Sequence, residues 1–144
     1  MQALLKPKNS VYANRFKKHL LAKLKEKQRL FPELITDEDI RNVKTLKDFD
    51  DIYTSKAHGF KDGLDYYVQC SSLQFLKNIQ KPTFIINAKN DTFLGPECYP
   101  YQEVKKNEKL HMEVPLYGGH VGFYGSKNIS YTEERSLIFL EEVL

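Results

Sequence analysis

The sequence predicts an α/β fold: a helical first half followed by a β-α-β-α second half with parallel strands. Three observations carry that reading. Apolar residues of the first half recur three and four positions apart, the period of a helix packed on one face. The second half holds two short apolar runs, 83–88 and 111–116, each ending in turn residues. The stretch between those runs is well over the dozen residues that a crossover between parallel strands requires.

Over 10–27, Phe16, Leu20 and Leu24 stand at i, i+4 and i+8, and Leu21 widens the stripe. Arg15, Lys17, Lys18, Lys23, Lys25 and Lys27 make the rest of this helix basic. Leu30-Phe31-Pro32 ends it, because proline lacks the N–H that a helix interior needs. Thr36-Asp37-Glu38-Asp39 opens a short helix as a capping box, in which a hydroxyl and a carboxylate three residues on satisfy each other's backbone N–H. Thr45-Leu46-Lys47-Asp48 repeats the pattern and starts a helix over 46–53. His58-Gly59-Phe60 is a loop. Residues 61–69 are expected to be helical, with Leu64 and Val68 on one side and Asp65-Tyr66-Tyr67 anchoring its packing. Ser71 or Ser72 caps a further helix through Leu73, Phe75, Leu76 and Ile79.

Lys81-Pro82 leads into the run 83–88, apolar nearly throughout, as a buried parallel strand should be. A loop with Gly95 and Pro96 follows, then a short helix over 101–106, since Pro100 suits a helix's first turn and not its middle. The second strand spans 111–116. Ser130-Tyr131-Thr132-Glu133 is a third capping box, opening a last helix that carries Leu137, Ile138, Leu140 and Val143. There is no internal repeat and no low-complexity segment.

A chain of 144 residues is one domain or part of one. With 41% apolar and 28% charged residues it has the composition of a soluble globular protein. A net charge of +3 is too small to argue for a nucleic-acid partner. No apolar run approaches the ~20 residues of a membrane span. Met1 to Pro7 shows neither the apolar region nor the cleavage site of a signal peptide, so a cytoplasmic chain is expected. The basic helix leaves peripheral membrane contact open, but it reads first as a solvated amphipathic helix packed by Phe16, Leu20 and Leu24. Cys70 and Cys98 form no metal-spaced pair and are expected to be buried, reduced thiols. No cluster of His, Cys and carboxylate has metal-ligand spacing, and no cofactor is expected.

The chemistry concentrates in two residues. Asp91 follows the first run through Lys89-Asn90, and His120 follows the second through Tyr117-Gly118-Gly119. If the strands are parallel, both lie beyond carboxyl ends at one edge of the sheet, where the sites of open α/β sheets gather. An acid and then a histidine, each after a strand, are two-thirds of a Ser–acid–His triad in the chain order of α/β-hydrolases. Asn-Asp is a common turn pair, so Asp91 alone would read as a turn residue. The order of Gly118-Gly119-His120 after it makes it a candidate acid. His19, His58 and His111 sit on a helix, in a loop and at a strand start, and read as structural or exposed. Phe93, Tyr99, Tyr101, Phe123 and Tyr124 flank the candidate site, as an acyl pocket or as aromatic core.

Lys81-Pro82-Thr83-Phe84-Ile85-Ile86-Asn87-Ala88 with Asn90-Asp91 resembles the acid strand and loop of α/β-hydrolases, and Gly118-Gly119-His120-Val121-Gly122-Phe123 their histidine loop. Thr45-Leu46-Lys47-Asp48-Phe49-Asp50-Asp51 with Tyr53-Thr54, and Gly59-Phe60 with Asp65-Tyr66-Tyr67 and Ser71-Ser72, extend the likeness. From about Tyr12 onward the chain resembles the YheT-type hydrolases and their ABHD relatives, esterases and acylglycerol or phospholipid lipases. The resemblance implies the carboxyl-terminal part of an α/β-hydrolase fold. Residues 1–75 would be a cap-like helical segment, and 76–144 the β-α-β-α part of the core. Asp91 would be the triad acid, His120 the general base, and the substrate a small acyl ester, hydrolysed without a cofactor.

One element of the pattern has no match: the sequence holds no Gly-x-Ser-x-Gly. Ser126 follows Gly125 but comes after His120 with no strand in front of it, and Ser71 and Ser72 follow Cys70 without a flanking glycine. The oxyanion donors of the family belong with the nucleophile. The expectation is therefore a serine hydrolase part that needs an amino-terminal, nucleophile-bearing half. The alternatives are a homo-oligomer or other non-catalytic interaction module, or an inactive remnant, pairing through an open strand edge.

Overall fold

The computed structural model describes residues 2–125 and 129–143; Met1, Ser126, Lys127, Asn128 and Leu144 lie outside them. The chain divides into two compact units, Met1–Ser71 and Ser72–Leu144.

The first unit is helical. Short 3-10 turns at Gln2–Leu5 and Pro7–Asn9 lead into α1 (Ser10–Leu30), which runs one turn beyond the expected 10–27. The Phe31 N–H closes it on the Lys27 carbonyl at 2.9 Å, before Pro32. Leu24 is 2% exposed and forms a core with Ile35, Val43 and Phe49, against which Leu20, Leu21, Ile40, Ile52 and Tyr53 pack. Phe16, expected in the stripe, remains partly exposed.

Both expected capping boxes of this unit are present. Thr36 Oγ1 accepts from the Asp39 N–H at 3.1 Å, and Asp39 accepts from the Thr36 N–H at 2.9 Å, opening α2 (Asp37–Asn42). The bond from that N–H holds the Asp39 carboxyl below its usual range. Thr45 and Asp48 do the same for α3 (Leu46–Phe49), at 3.2 and 2.7 Å. The helix expected over 46–53 then widens into a π turn, Asp50–Thr54, and continues as α4 (Ser55–Ala57). The π turn holds a buried carboxylate, Asp50, which accepts from Thr54 Oγ1 at 2.8 Å and from the Tyr67 hydroxyl. Burial and that bond to Asp50 push the Tyr67 phenol well above its usual range.

The helix expected over 61–69 is α5 (Gly63–Cys70), capped by Asp62, which accepts from the Asp65 N–H at 2.8 Å. Its anchors are Tyr66 and Tyr67; Tyr66 packs against Phe60 with ring centroids 5.3 Å apart. Leu64 and Val68, which the sequence puts on one side of the helix, are exposed, because the tyrosines occupy the packed side. Cys70 is likewise a free, exposed thiol rather than a buried one.

In the second unit the segment after Ser71 is a 3-10 helix, Ser72–Asn78, not an α-helix. Only Leu76 of its apolar residues is buried; Leu73 and Phe75 are exposed. Asn107 Nδ2 donates to the Leu76 and Ile79 carbonyls at 3.0 and 2.9 Å, fastening the end of this helix to the residue after the short helix Tyr101–Lys106. Two strands follow, β1 (Thr83–Ile86) and β2 (Leu110–Glu113), parallel and in register from Thr83↔Leu110 to Ile86↔Glu113. The crossover carries a 3-10 turn, Pro96–Cys98, and α6 (Tyr101–Lys106), where the sequence places a helix.

Both strands are shorter than the apolar runs. The pairing nonetheless continues past β1: the Asn87 N–H donates to the Glu113 carbonyl at 3.2 Å and the Lys89 N–H to that of Pro115 at 2.8 Å. Pro115 has no N–H to return, which limits the ladder on β2. The residues of β1 are half-buried, not fully enclosed. Cys98 is exposed, again contrary to expectation.

The last helix, α7 (Tyr131–Val143), begins at the expected capping box: the Glu133 N–H donates to Ser130 Oγ at 3.2 Å and the Ser130 N–H to Glu133 at 2.7 Å. Its buried residue is Phe139, stacked on Phe84 of β1 at 5.0 Å and tilted against His111 at 5.1 Å. Leu137 and Leu140 are exposed. No helix of the described residues is long and apolar enough to cross a membrane.

Candidate active site

The site lies where β1 and β2 both run out, within the second unit. Because the strands are parallel and in register, the segments leaving them emerge side by side. Past β1, the Asp91 N–H turns back to the Ala88 carbonyl at 3.1 Å, which ends the extended run and swings the carboxylate inward. The Asp91 side chain is 4% exposed. One oxygen, Oδ1, accepts the Phe93 N–H at 2.8 Å, an Asx-type bond within the loop. The other, Oδ2, lies 2.8 Å from His120 Nδ1.

A carboxylate can only accept, so this geometry suits a neutral imidazole protonated on Nδ1, with Nε2 as an acceptor. The His120 side chain is 53% exposed, while its partner is buried. The Phe93 ring lies against the imidazole with centroids 4.8 Å apart. A buried acid bonded to Nδ1 of a half-exposed imidazole is an arrangement that can take a proton from a hydroxyl on Nε2 and return it to a leaving group.

Two glycines bring the histidine there. A Cβ on Gly118 would stand 2.6 Å from the Phe123 ring and 2.9 Å from the Ala88 side chain, so only glycine permits this approach of the loop to the end of β1. Gly119 has φ +58°, the left-handed region that glycine adopts freely. Its N–H donates to Asn90 Oδ1 at 2.8 Å, linking the two loops one residue before the acid and one before the histidine. The Gly122 and Phe123 N–H groups both close on the Gly118 carbonyl at 3.0 Å, and buried Phe123 takes a positive φ of 41°. Its carbonyl accepts the Tyr131 N–H at 2.8 Å, tying the loop to the start of α7.

Of the flanking aromatics, Phe93 touches His120 and Phe123 packs beneath the glycines. Tyr99 donates its hydroxyl to the Ala88 carbonyl at 2.8 Å and stacks on Tyr101. Burial, and then the Asp91 charge, raise the Tyr99 phenol above its usual range, so it remains a donor. Tyr124 is fully exposed. Ser126 lies outside the described residues. His19 and His58, on α1 and after α4, belong to the first unit, and His111 packs on Phe139; among the described residues no cluster could hold a metal ion.

One neighbouring group escaped the sequence reading. Glu113, last residue of β2, accepts Arg135 Nε at 2.8 and 2.9 Å on its two oxygens and the Tyr131 hydroxyl at 2.8 Å. The guanidinium, helped by that hydroxyl, holds the Glu113 carboxyl below its usual range. This pins the first turns of α7 to β2. The residues are far apart in sequence, and no local period or motif announces the pairing.

A parallel β-α-β unit with an acid and a histidine joined beyond its strand ends is an α/β-hydrolase arrangement. Sequence comparison gives the same class. YheT of Escherichia coli, an esterase by its name, is 40% identical over 86 residues, covering 60% of this chain and 25% of that protein. An abhydrolase domain-containing protein of Dictyostelium discoideum is 32% identical over 143 residues, 94% of this chain and 36% of that protein. The medium-chain fatty acid ethyl ester synthase/esterase 2 of Saccharomyces cerevisiae is 33% identical over 91 residues, 63% of this chain and 20% of that protein. The chain belongs to the α/β-hydrolase family, resembling its YheT-type members, and spans only 20–36% of the length of these relatives. No family model and no solved structure matches it.

Proposed function

We propose that this chain supplies the acid and the general base of a serine carboxylic ester hydrolase, acting on acyl esters of lipid type. Asp91 is the acid and His120 the base. The nucleophilic serine and the oxyanion donors come from a polypeptide segment outside these residues. The observation that carries the reading is the 2.8 Å bond between buried Asp91 and half-exposed His120 at the carboxyl ends of two parallel strands.

In this mechanism His120 Nε2 takes the serine proton as the serine oxygen attacks the ester carbonyl. The imidazolium then gives that proton to the departing alkoxide, leaving an acyl-enzyme. A water molecule repeats the sequence and releases the carboxylic acid. Asp91 keeps the proton on Nδ1 and stabilises the imidazolium without itself becoming protonated. The esterase and ester-synthase names of the relatives support an acyl ester as substrate. The free thiols of Cys70 and Cys98 suit a cytoplasmic setting.

The test is reconstitution. The chain is co-expressed with the nucleophile-bearing segment of a YheT-type hydrolase, and release of 4-nitrophenol from short and medium acyl esters is followed. The complex is expected to turn over, and His120→Ala to lower kcat/KM by about 100- to 10,000-fold. Undiminished turnover by the alanine variant would overturn the role assigned to His120.

A further inference from the structure

Among the described residues, three contacts join the histidine loop to the tetrapeptide Asn90-Asp91-Thr92-Phe93. Asp91 Oδ2 meets the ring nitrogen at 2.8 Å, the Phe93 ring meets the imidazole face, and Asn90 Oδ1 accepts the Gly119 N–H at 2.8 Å. The first two act on the side chain of His120. Only the third grips the backbone that carries it.

That backbone needs gripping. Gly119, immediately before the histidine, sits in the left-handed region, where glycine has the widest choice of alternative conformations. No Cβ contact restrains it, since the space beside its Cα is open to 4 Å. The histidine side chain is itself half-exposed, so packing does little to fix its ring. The loop's internal bonds, from Gly122 and Phe123 to the Gly118 carbonyl, close it on itself and tie none of it to the acid loop. The Asn90–Gly119 bond makes that tie, with each end one residue from the reacting pair.

We propose that Asn90 is a positioning residue: its side-chain carbonyl latches the histidine loop to the acid loop and so holds His120 Nδ1 on Asp91. The requirement is an acceptor oxygen on a short side chain at this position, not an amide as such. Aspartate meets it; leucine, of similar size, does not. A positioning role rests on the reading of Asp91 and His120 as acid and base, but the latch itself is read without catalysis.

The measurement is the tautomer of His120 in the full chain, from two-bond proton–nitrogen correlation of the imidazole at a pH where the ring is neutral. The parent chain is expected to show the Nδ1–H form, although free imidazole favours Nε2–H. In Asn90→Leu, the Nε2–H fraction is expected to rise by about fivefold, the equilibrium effect of one lost hydrogen bond. Asn90→Asp is expected to keep the parent ratio. Equal tautomer ratios in the parent and Asn90→Leu would overturn the latch, as would an Asn90→Asp ratio as disturbed as that of Asn90→Leu. If Asn90→Leu fails to fold, Asn90→Ala and Asn90→Asp decide: an Ala ratio unchanged from the parent, or an Asp ratio that departs from it, defeats the proposal. Ester hydrolysis that survives His120→Ala would instead defeat the esterase reading and leave the tautomer result standing.

Discussion

Gly118 and Gly119 look interchangeable in the sequence and are not. At Gly118 the backbone angle is ordinary and the crowding is severe, with the Phe123 ring and the Ala88 side chain where a Cβ would go. At Gly119 the space is open and the backbone is left-handed. Gly118→Ala is therefore expected to overpack the end of β1 and destabilise the second unit by about 1–3 kcal/mol. Gly119→Ala should cost about 1–2 kcal/mol through backbone strain alone. Urea unfolding of the two variants checks both, and a Gly118→Ala variant as stable as the parent would refute the crowding argument. The sequence made the loop legible as a tight glycine turn carrying a histidine. The separate reasons for the two glycines were not legible, because one depends on Phe123 folding back beneath the loop. Asp91 and His120 were legible because their types, order and strand contexts agree. Asn90 was hidden in a turn pair where any polar side chain would serve.

Among the elements, those whose ends are written in local chemistry matched their sequence signals best. Each of the three capping boxes opens a helix where the sequence puts one, since the partners lie three residues apart and need no tertiary contact. Helix faces were less legible. On α7 the apolar residues mark no single side, and aromatic stacking of Phe139 on Phe84 and His111 decides which side packs. On α5 the tyrosines decide it, and the π turn at Asp50 follows from a buried hydroxyl–carboxylate arrangement that no local period announces. The Glu113–Arg135 pair adds a pH dependence to α7. Glu113 is held below its usual range, so its contribution to stability is complete above the ordinary glutamate range and is lost as the pH falls through its lowered value. Acid unfolding of the second unit is thus expected to move toward neutral pH in Glu113→Gln, with little change near pH 7 beyond the lost ion pair. Circular dichroism against pH, with tyrosine fluorescence for the Tyr131 end, follows it. An unmoved acid midpoint would show that the pair contributes nothing to the docking of α7.

For the whole molecule, the sheet sets the terms. Two strands are fewer than an independent sheet usually needs. The Thr83 and Asn87 N–H groups bond to the carbonyls of Lys109, just before β2, and Glu113, so by alternation those of Phe84 and Ile86 point to the other side of β1, in an apolar strand left half-buried. An edge of this kind is a template for another strand. The same edge serves both readings of the chain: a nucleophile-bearing segment would extend the sheet there, and without it a second copy can. The chain by itself is expected to unfold with poor cooperativity or to self-associate, and a sharp transition from a clean monomer would sink that expectation. Ile86→Pro separates the causes, because it removes an N–H from the open side and none from the ladder to β2. Sedimentation of Ile86→Pro should show less association than the parent, and in the reconstituted hydrolase the same change should lower assembly with the nucleophile-bearing segment. Association unchanged by the proline would place the sticky surface elsewhere, on exposed apolar residues such as Leu73 and Phe75 or Leu137 and Leu140. Loss of association together with intact assembly would mean that the edge binds copies of this chain but not the hydrolase half.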